Sequence, residues 1–450
     1  MKKKVKKTIA LTAGMFLLAG GTSALAGDAE MDQLKQQIQQ VIDQNQQLTR
    51  QNQELTRRIS DIEKEMQAKE TVQEAEATAS TSEPEKFLPP GDHALRTHVH
   101  QLIKQEMRKK AEAEGWEQKI NEYVTLFGLI EGEAVFGDDY DGNSFSEFNV
   151  ATVELGFDVQ MSEWAVGHIL ALYEGPDDDS LSIDEANIWL GNYEKFPLLM
   201  TAGRFYMPFG KFDTNMIQDT LTLEIGEIGD YGVAVGFEAN GFLGAVYSYN
   251  GMKETGDSET IKGFGAMIEY GYEQDEMSFN AGVSWVANIA DSDGISDAFD
   301  EAGLETINST VNGFGVHLTA AYDPIIFIGE YIQALDNFYP GEFNPETGEV
   351  EGSEILFKEQ GAEPEAWNTE LAYVTELFGK TTVFAIGYQG TSEAVELGLP
   401  EARYMAAASM VLLPGTVLTL EYLYDQDYDT NDGGTDEDAN AFTAQLSYEF

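Results

Sequence analysis

The residues with chemistry to offer are carboxylates that recur at every second position. Thr152, Glu154, Gly156, Asp158 and Gln160 alternate with Ala151, Val153, Leu155, Phe157 and Val159. The same dyad returns along the chain, and its polar side takes in Glu131, Glu133, Glu185, Glu238, Glu269, Glu330, Glu370 and Glu421. Arg204 and Arg403 are expected on that side too, because an Arg facing lipid at mid-membrane costs about 2–4 kcal/mol. Unpaired ions in a dry interior cost several kcal/mol each. A wall carrying this many acids is therefore expected to face water, where its field attracts cations and discourages small anions.

Other chemistry is scarce. No cysteine is present, which excludes disulfide frameworks, thiolate metal sites and cysteine nucleophiles. His93, His98 and His100 fall in one short charged segment, and His98 and His100 would point to different sides of a helix. His168 and His317 stand in no catalytic motif. The loop acids Asp291, Asp293, Asp425, Asp427 and Asp429 lack EF-hand spacing and read as solvated charge. No catalytic residue, metal site or cofactor is expected, and the chain does not read as an enzyme. The formal net charge of −53 makes nucleic acid a poor partner.

These side chains need elements to position them, and the charge divides the chain. Residues 1–119 hold 18 basic and 18 acidic residues, so the whole −53 falls on 120–450. Residues 1–26 read as a signal peptide: Lys2, Lys3, Lys4, Lys6 and Lys7 precede the apolar run Ile9 to Leu18, and Ala24-Leu25-Ala26 supplies the cleavage pattern. Residues 27–70 read as a periplasmic coiled coil. Met31, Ile38, Asn45, Asn52, Ile59 and Met66 fall at position a, and Leu34, Val41, Leu48, Leu55 and Ile62 at d. The two seam asparagines favour a dimer in short coils, whereas porins of this size favour a trimer; both remain open. Residues 71–119 read as a tether and a short helix.

Residues 120–450 are expected to form about sixteen antiparallel strands. A soluble sandwich could share the alternation, so the connections decide. Short turns near 162–163, 191–192, 240–241, 274–275, 323–324, 378–379 and 414–415 alternate with acidic loops near 137–147, 174–181, 209–230, 250–260, 290–310, 334–364, 389–400 and 425–440. Short turns at one rim and long loops at the other are the layout of an all-β transmembrane β-barrel of the outer membrane. The expected partners are outer-membrane lipid and lipopolysaccharide, further copies of the chain (a homotrimer), a small-molecule solute, and the outer-membrane assembly machinery through the C-terminal Phe450.

The loop 209–230 is unusually apolar, with Phe212, Met216, Ile217, Leu221, Leu223 and Ile225. It is expected to fold against the wall as a constriction, with Lys211, Asp213, Asp219, Glu224 and Glu227 at the narrowest point opposite Arg204 or Arg403. Packing on a neighbouring protomer is the alternative.

The runs VTLFGLIEGEAVFGDDYDG (Val124–Gly142), ATVELGFDVQMSEW (Ala151–Trp164), Ile183-Asp184-Glu185-Ala186, TAGRFYMPFGKFDTNMIQDTLTLEIGE (Thr201–Glu227) and VGFEANGF (Val235–Phe242) resemble the LbtU-type siderophore porins, and the family's N-terminal coiled coil is matched as well. The resemblance implies a TonB-independent outer-membrane pore for iron–siderophore complexes, and it assigns no binding residues. A general cation-preferring porin and an envelope tether are the alternative readings.

Overall fold

The computed structural model describes residues 119–121, 123–175, 180–192, 195–252, 261–274, 277–301, 310–338 and 361–450. The signal peptide, the coiled coil and all of the tether and short helix but Lys119 lie outside the described residues.

Alternation of apolar and polar side chains leaves each segment one stable option, a strand with two unlike faces. In chain order, a short β1 (Lys119–Asn121) is followed by β2 (Val124–Asp138), β3 (Ser144–Ser162), β4 (Ala165–Glu174), β5 (Ser182–Asn192) and β6 (Phe196–Tyr206). Then come β7 (Gly229–Ala239), β8 (Phe242–Tyr249), β9 (Gly263–Gln274), β10 (Met277–Val286) and β11 (Gly313–Tyr322). The last are β12 (Ile325–Ala334), β13 (Glu365–Leu377), β14 (Lys380–Ser392), β15 (Ala402–Leu413), β16 (Thr416–Gln426) and β17 (Asp438–Glu449).

Strands β2 to β17 each pair antiparallel with their sequence neighbours, and β17 pairs back onto β2, so sixteen strands close into a barrel with no free edge. At the seam Phe442 lies opposite Phe136 and Tyr448 opposite Ile130. Phe450 and Gly128 then exchange both backbone hydrogen bonds at 3.0 Å. The chain end is thus part of the closure.

Register fixes which side chains face out. On β14, Ile386 is 61 % exposed whereas Ala385 beside it is 4 % exposed. Across the ring the exposed row holds Val246, Ile268, Val283, Leu371, Leu420 and Leu446. Aromatic side chains collect at both ends of that row: Phe136, Tyr231, Phe264, Tyr388 and Tyr404 toward the loop end, and Phe242, Tyr322, Tyr373 and Tyr448 toward the turn end. An apolar band between aromatic girdles is what a bilayer requires of a barrel's outer surface. Among the described residues no helix is long and apolar enough to cross a membrane.

The connections alternate as expected. Turns at 163–164, 240–241, 323–324, 378–379 and 414–415 mark one end, where the barrel's first and last strands also start and finish. The first long loop is shorter than expected, spanning 139–143, because Phe136 pairs with Ser146 and Asp138 with Ser144. Asn143 then closes it by donating its N–H to Asp139 Oδ1 at 2.7 Å.

Because Ile386 sits midway along β14, Ile386→Arg should lower the unfolding free energy in lipid by about 2–4 kcal/mol. Urea titration in liposomes checks this, and an unchanged midpoint would place that row away from acyl chains.

Candidate functional site

The connection 207–228 does not project from the barrel. It turns into the interior and crosses the inner wall from β10 to β16, held by side chains of those strands. Gly210 N–H donates to Ser284 Oγ at 3.1 Å. The N–H groups of Lys211 and Phe212 donate to the two oxygens of Glu330 at 2.6 and 3.0 Å, and the Thr222 hydroxyl adds a third bond to it at 2.8 Å. Asn215 N–H and the Thr214 hydroxyl donate to Glu370 at 2.8 and 2.5 Å. Ile217 and Gln218 N–H donate to Glu421 at 2.5 and 3.2 Å. Leu221 N–H reaches Gln389 Oε1 at 2.9 Å.

The backbone has to bend sharply for this. Gly210 has φ +81 and Phe212 has φ +57, a left-handed conformation uncommon for a bulky residue. The turn aims successive N–H groups at one carboxylate, the arrangement by which backbone nests hold anions. Hydrogen bonds to a charged group are worth about 1.5–3 kcal/mol each, enough to offset the local strain.

Glu330, Glu370 and Glu421 were expected to border water. Instead they are 6, 2 and 3 % exposed and bind the loop. A polar position on an alternating strand shows which way the side chain points; the partner that arrives there is set by a segment more than a hundred residues away.

The rest of the loop is apolar for a matching reason. After Thr220, whose hydroxyl caps the helix by accepting from Leu223 N–H at 3.2 Å, the chain forms α1 (Leu221–Gly226). Leu221, Ile225 and Ile228 are buried with Phe209 and Ile332. Residues 287–301, with α2 (Asp293–Glu301), pack against this cluster and contribute Ile289, Ile295 and Phe299. Asp293 N–H donates to Glu227 O at 2.7 Å, tying the two segments together.

The remaining candidate residues divide into groups. Lys211 lies 3.8 Å from Glu269, and His317 lies 3.5 Å from the same carboxylate. Asp213 accepts from the Thr319 hydroxyl at 2.8 Å. Arg403 faces inward as expected, and it forms a two-pronged pair with Asp425 at 2.9 Å for each bond. Its third contact is with Asp219 O at 3.4 Å. Asp425 is therefore an ion-pair partner within β16 and not solvated loop charge. Glu224 is half-buried on α1 and Glu227 is buried beside it.

Arg204 corrects an expectation. It pairs in register with Ala186 and with Tyr231, and Met200 and Leu198 follow it on the same exposed row. It lies on the outer face toward the loop end, with its Nε donating to Asp184 O at 2.8 Å and its guanidinium 5.8 Å from the Tyr231 ring. That position lies past the apolar mid-band, so the penalty that placed it inward does not apply.

The remaining candidate acids lie on β2, β3, β5 and β7. Glu131 and Glu133 on β2, Glu154 and Asp158 on β3 and Glu185 on β5 point inward there. Glu133 accepts from Gln445 at 2.8 Å and Glu185 from Asn187 at 3.2 Å. Glu131 and Glu185 are buried, at 9 and 5 % exposure. Glu238 is exposed near the turn end of β7. Among the described residues the cations inside the barrel are Lys211 and Arg403, and both are engaged by carboxylates. His168, passed over in the sequence, sits on the same wall between Phe127 and Trp189 at ring separations of 5.7 and 5.3 Å, bonded to Asp158 at 2.8 Å. Its inward parity on β4 was the available signal.

Of two acids in the 287–312 connection, Asp291 is buried and Asp293 half-buried, rather than solvated. Asp291 accepts from the Tyr249 hydroxyl at 2.9 Å and from Met252 N–H at 2.8 Å. Burial pushes it up to about 6. Burial, followed by the nearby charge of Glu227, pushes Asp293 up to about 7.

Two tests follow. Glu370→Ala removes the acceptor for Thr214 and Asn215 and should make the loop cleavable by added protease at least tenfold faster, which mass spectrometry of the fragments reads. For Asp291 and Asp293, a carboxyl in the unfolded chain titrates near 3.9. A raised folded value means the packed loop is fully stable below about pH 4 and loses stability as pH rises through about 6 to 7. Amide exchange in 287–301 should therefore quicken from pH 5 to pH 8 after correction for intrinsic rates, and Asp293→Asn should remove most of that change.

No protein-family model matches the chain. It is similar to the UPF0422 protein of Coxiella burnetii, with 28% identity over 339 residues, covering 73% of this chain and 70% of that protein. A UPF0422 protein of Legionella pneumophila strain Philadelphia 1 is 26% identical over 333 residues, covering 68% of this chain. The chain spans only 59% of the length of that Legionella relative. Among solved structures, an anion-selective porin from Comamonas acidovorans gives a TM-score of 0.49 at 12% identity, covering 73% of this chain and 99% of the porin. The outer membrane channel DcaP of Acinetobacter baumannii gives 0.49 at 18% identity, covering 73% and 97%. The chain is thus similar to the UPF0422 proteins, and its own strand pairing establishes the closed sixteen-stranded barrel.

Proposed function

We propose that this protein is an outer-membrane porin through which small solutes diffuse, with its turns in the periplasm and its long connections outside. The observation that carries the proposal is the inward connection 207–228. It folds against the inner wall of β10 to β16, and we assign the passage to the space between Asp219 on this loop and Glu131, Glu133, Glu154 and Asp158 on β2 and β3. Carboxylates in a confined passage raise the local concentration of cations and lower that of anions. The passage accordingly favours cationic and neutral solutes.

Iron–siderophore complexes are the cargo implied by the resemblance to the LbtU-type porins. The acidic wall supports those complexes that are neutral or cationic over polycarboxylate ones. The heptads of residues 31–66 support self-association through a periplasmic stalk, and the exposed apolar band supports a setting among outer-membrane lipid. The terminal strand, ending at Phe450, is the segment we assign to recognition by the assembly machinery.

Under a KCl gradient across a planar bilayer, the protein should show a reversal potential of cation-preferring sign. Glu131→Gln with Asp219→Asn should reduce the cation-to-anion permeability ratio at least twofold, whereas Glu227→Gln, buried against the neighbouring connection, should leave it unchanged. An unaltered ratio in the double variant removes these residues from the filter. Block of the current by neutral ferric siderophores but not by simple salts would favour iron uptake over general permeation.

A further inference from the structure

We infer that the outer face of β6 to β9 holds, at its loop end, a binding site for the headgroup of a lipid A-type glycolipid, a disaccharide with a phosphate at each end. The inference rests on the porin reading, which sets the loop end among the headgroups of the outer leaflet. Residues 120–450 carry 61 acidic residues against eight basic ones, so most of this surface repels an anionic lipid. Two of the eight break the pattern. Among the described residues, Arg204 and Lys262 are the cations that register places on the outer face at the loop end.

The two lie on one cross-strand row. Arg204 on β6 pairs with Tyr231 on β7. Asn250, one residue past β8, donates its N–H to Tyr231 O at 3.2 Å, and Lys262, one residue before β9, donates its N–H to Asn250 O at 3.2 Å. All four residues fall within two positions of a strand end, so the row follows the rim of the barrel. Alternation turns Arg204 to the side of Met200 and Lys262 to the side of Phe264, both lipid-facing. Three strand spacings separate the two cations, about 14 Å between backbones. That is the scale of a phosphorylated disaccharide lying along the rim.

The chemistry along the row suits such a headgroup. Arg204 Nε donates to Asp184 O at 2.8 Å, and among the described residues no acceptor meets its two Nη groups. A guanidinium held in one orientation presents those donors as a fork that matches phosphate oxygens. The carboxylates around it are turned to the protein: Asp184 is buried and accepts from the Tyr206 hydroxyl at 2.8 Å, and Asp293 accepts from Gly229 N–H at 3.4 Å. Lys262 supplies the second charge from a half-buried position. Between the cations Tyr231 is 58 % exposed, which leaves aromatic surface for a sugar ring to cover. Toward mid-membrane Val233, Val246 and Phe264 continue the exposed apolar surface, where the acyl chains of the same lipid lie.

The test is native mass spectrometry of the detergent-solubilised protein in EDTA, with lipid A bearing two phosphates, its monophosphoryl form and phosphatidylglycerol as probes. Lipid A should be retained about tenfold better than phosphatidylglycerol, with the monophosphoryl form in between. Arg204→Gln and Lys262→Gln should each weaken lipid A several-fold, and together should bring it to the level of phosphatidylglycerol. Lys380→Gln, which removes the same charge at the turn end, should change nothing. Heat-modifiable migration in gels shows each variant folded. Equal retention of the lipids, binding that needs added magnesium, or lipid A binding indifferent to Arg204→Gln and Lys262→Gln overturns the site. Conductance of the same preparation in planar bilayers decides the porin reading separately: a folded barrel that prefers lipid A but does not conduct overturns that reading and leaves the site standing.

Discussion

The interior depends on one interaction, the capture of main-chain N–H groups by carboxylates of the barrel wall. Glu330, Glu370 and Glu421 each take at least two donors from the connection 207–228. Each half of that bargain solves the other's difficulty. A buried carboxylate without partners would cost several kcal/mol, and an irregular segment inside a barrel carries backbone donors that no strand can satisfy. Brought together they order a loop that contains only a six-residue helix.

Packing then follows from that anchoring. Once the chain is pinned along β10 to β16, its apolar residues can only be buried against one another and against the second inward connection, which supplies Ile295 and Phe299. The loop and the cluster around α1 thus fill the side of the barrel to which they are tied. The acids of β2, β3 and β5 lie on the remaining wall, and Lys211 and Arg403 are held by Glu269 and Asp425. The asymmetry of the interior is thus a consequence of where the loop is tied down.

Much of the barrel was legible in the sequence because strand period and turn chemistry are local. The alternation from Phe442 to Phe450, the turns at Asn240-Gly241 and Pro414-Gly415, and the lipid-facing rows all follow from neighbouring residues. The inward fold of the apolar loop was legible too, from Phe212, Leu221 and Ile225. What could not be read was pairing at long range. Nothing near Glu421 indicates that Ile217 will reach it, and nothing near Asp425 indicates that Arg403 will. Arg204 failed for a different reason: a mid-membrane penalty was applied to a residue placed toward the rim, and rim position depends on strand stagger, which alternation leaves undetermined.

The most direct measurement is amide hydrogen exchange across residues 207–228 of the protein in lipid nanodiscs. Slow exchange at Phe212, Asn215, Ile217 and Leu221, with protection approaching that of the flanking strands, is the result this account predicts. Exchange of those amides on the timescale of an open, solvated loop would contradict it.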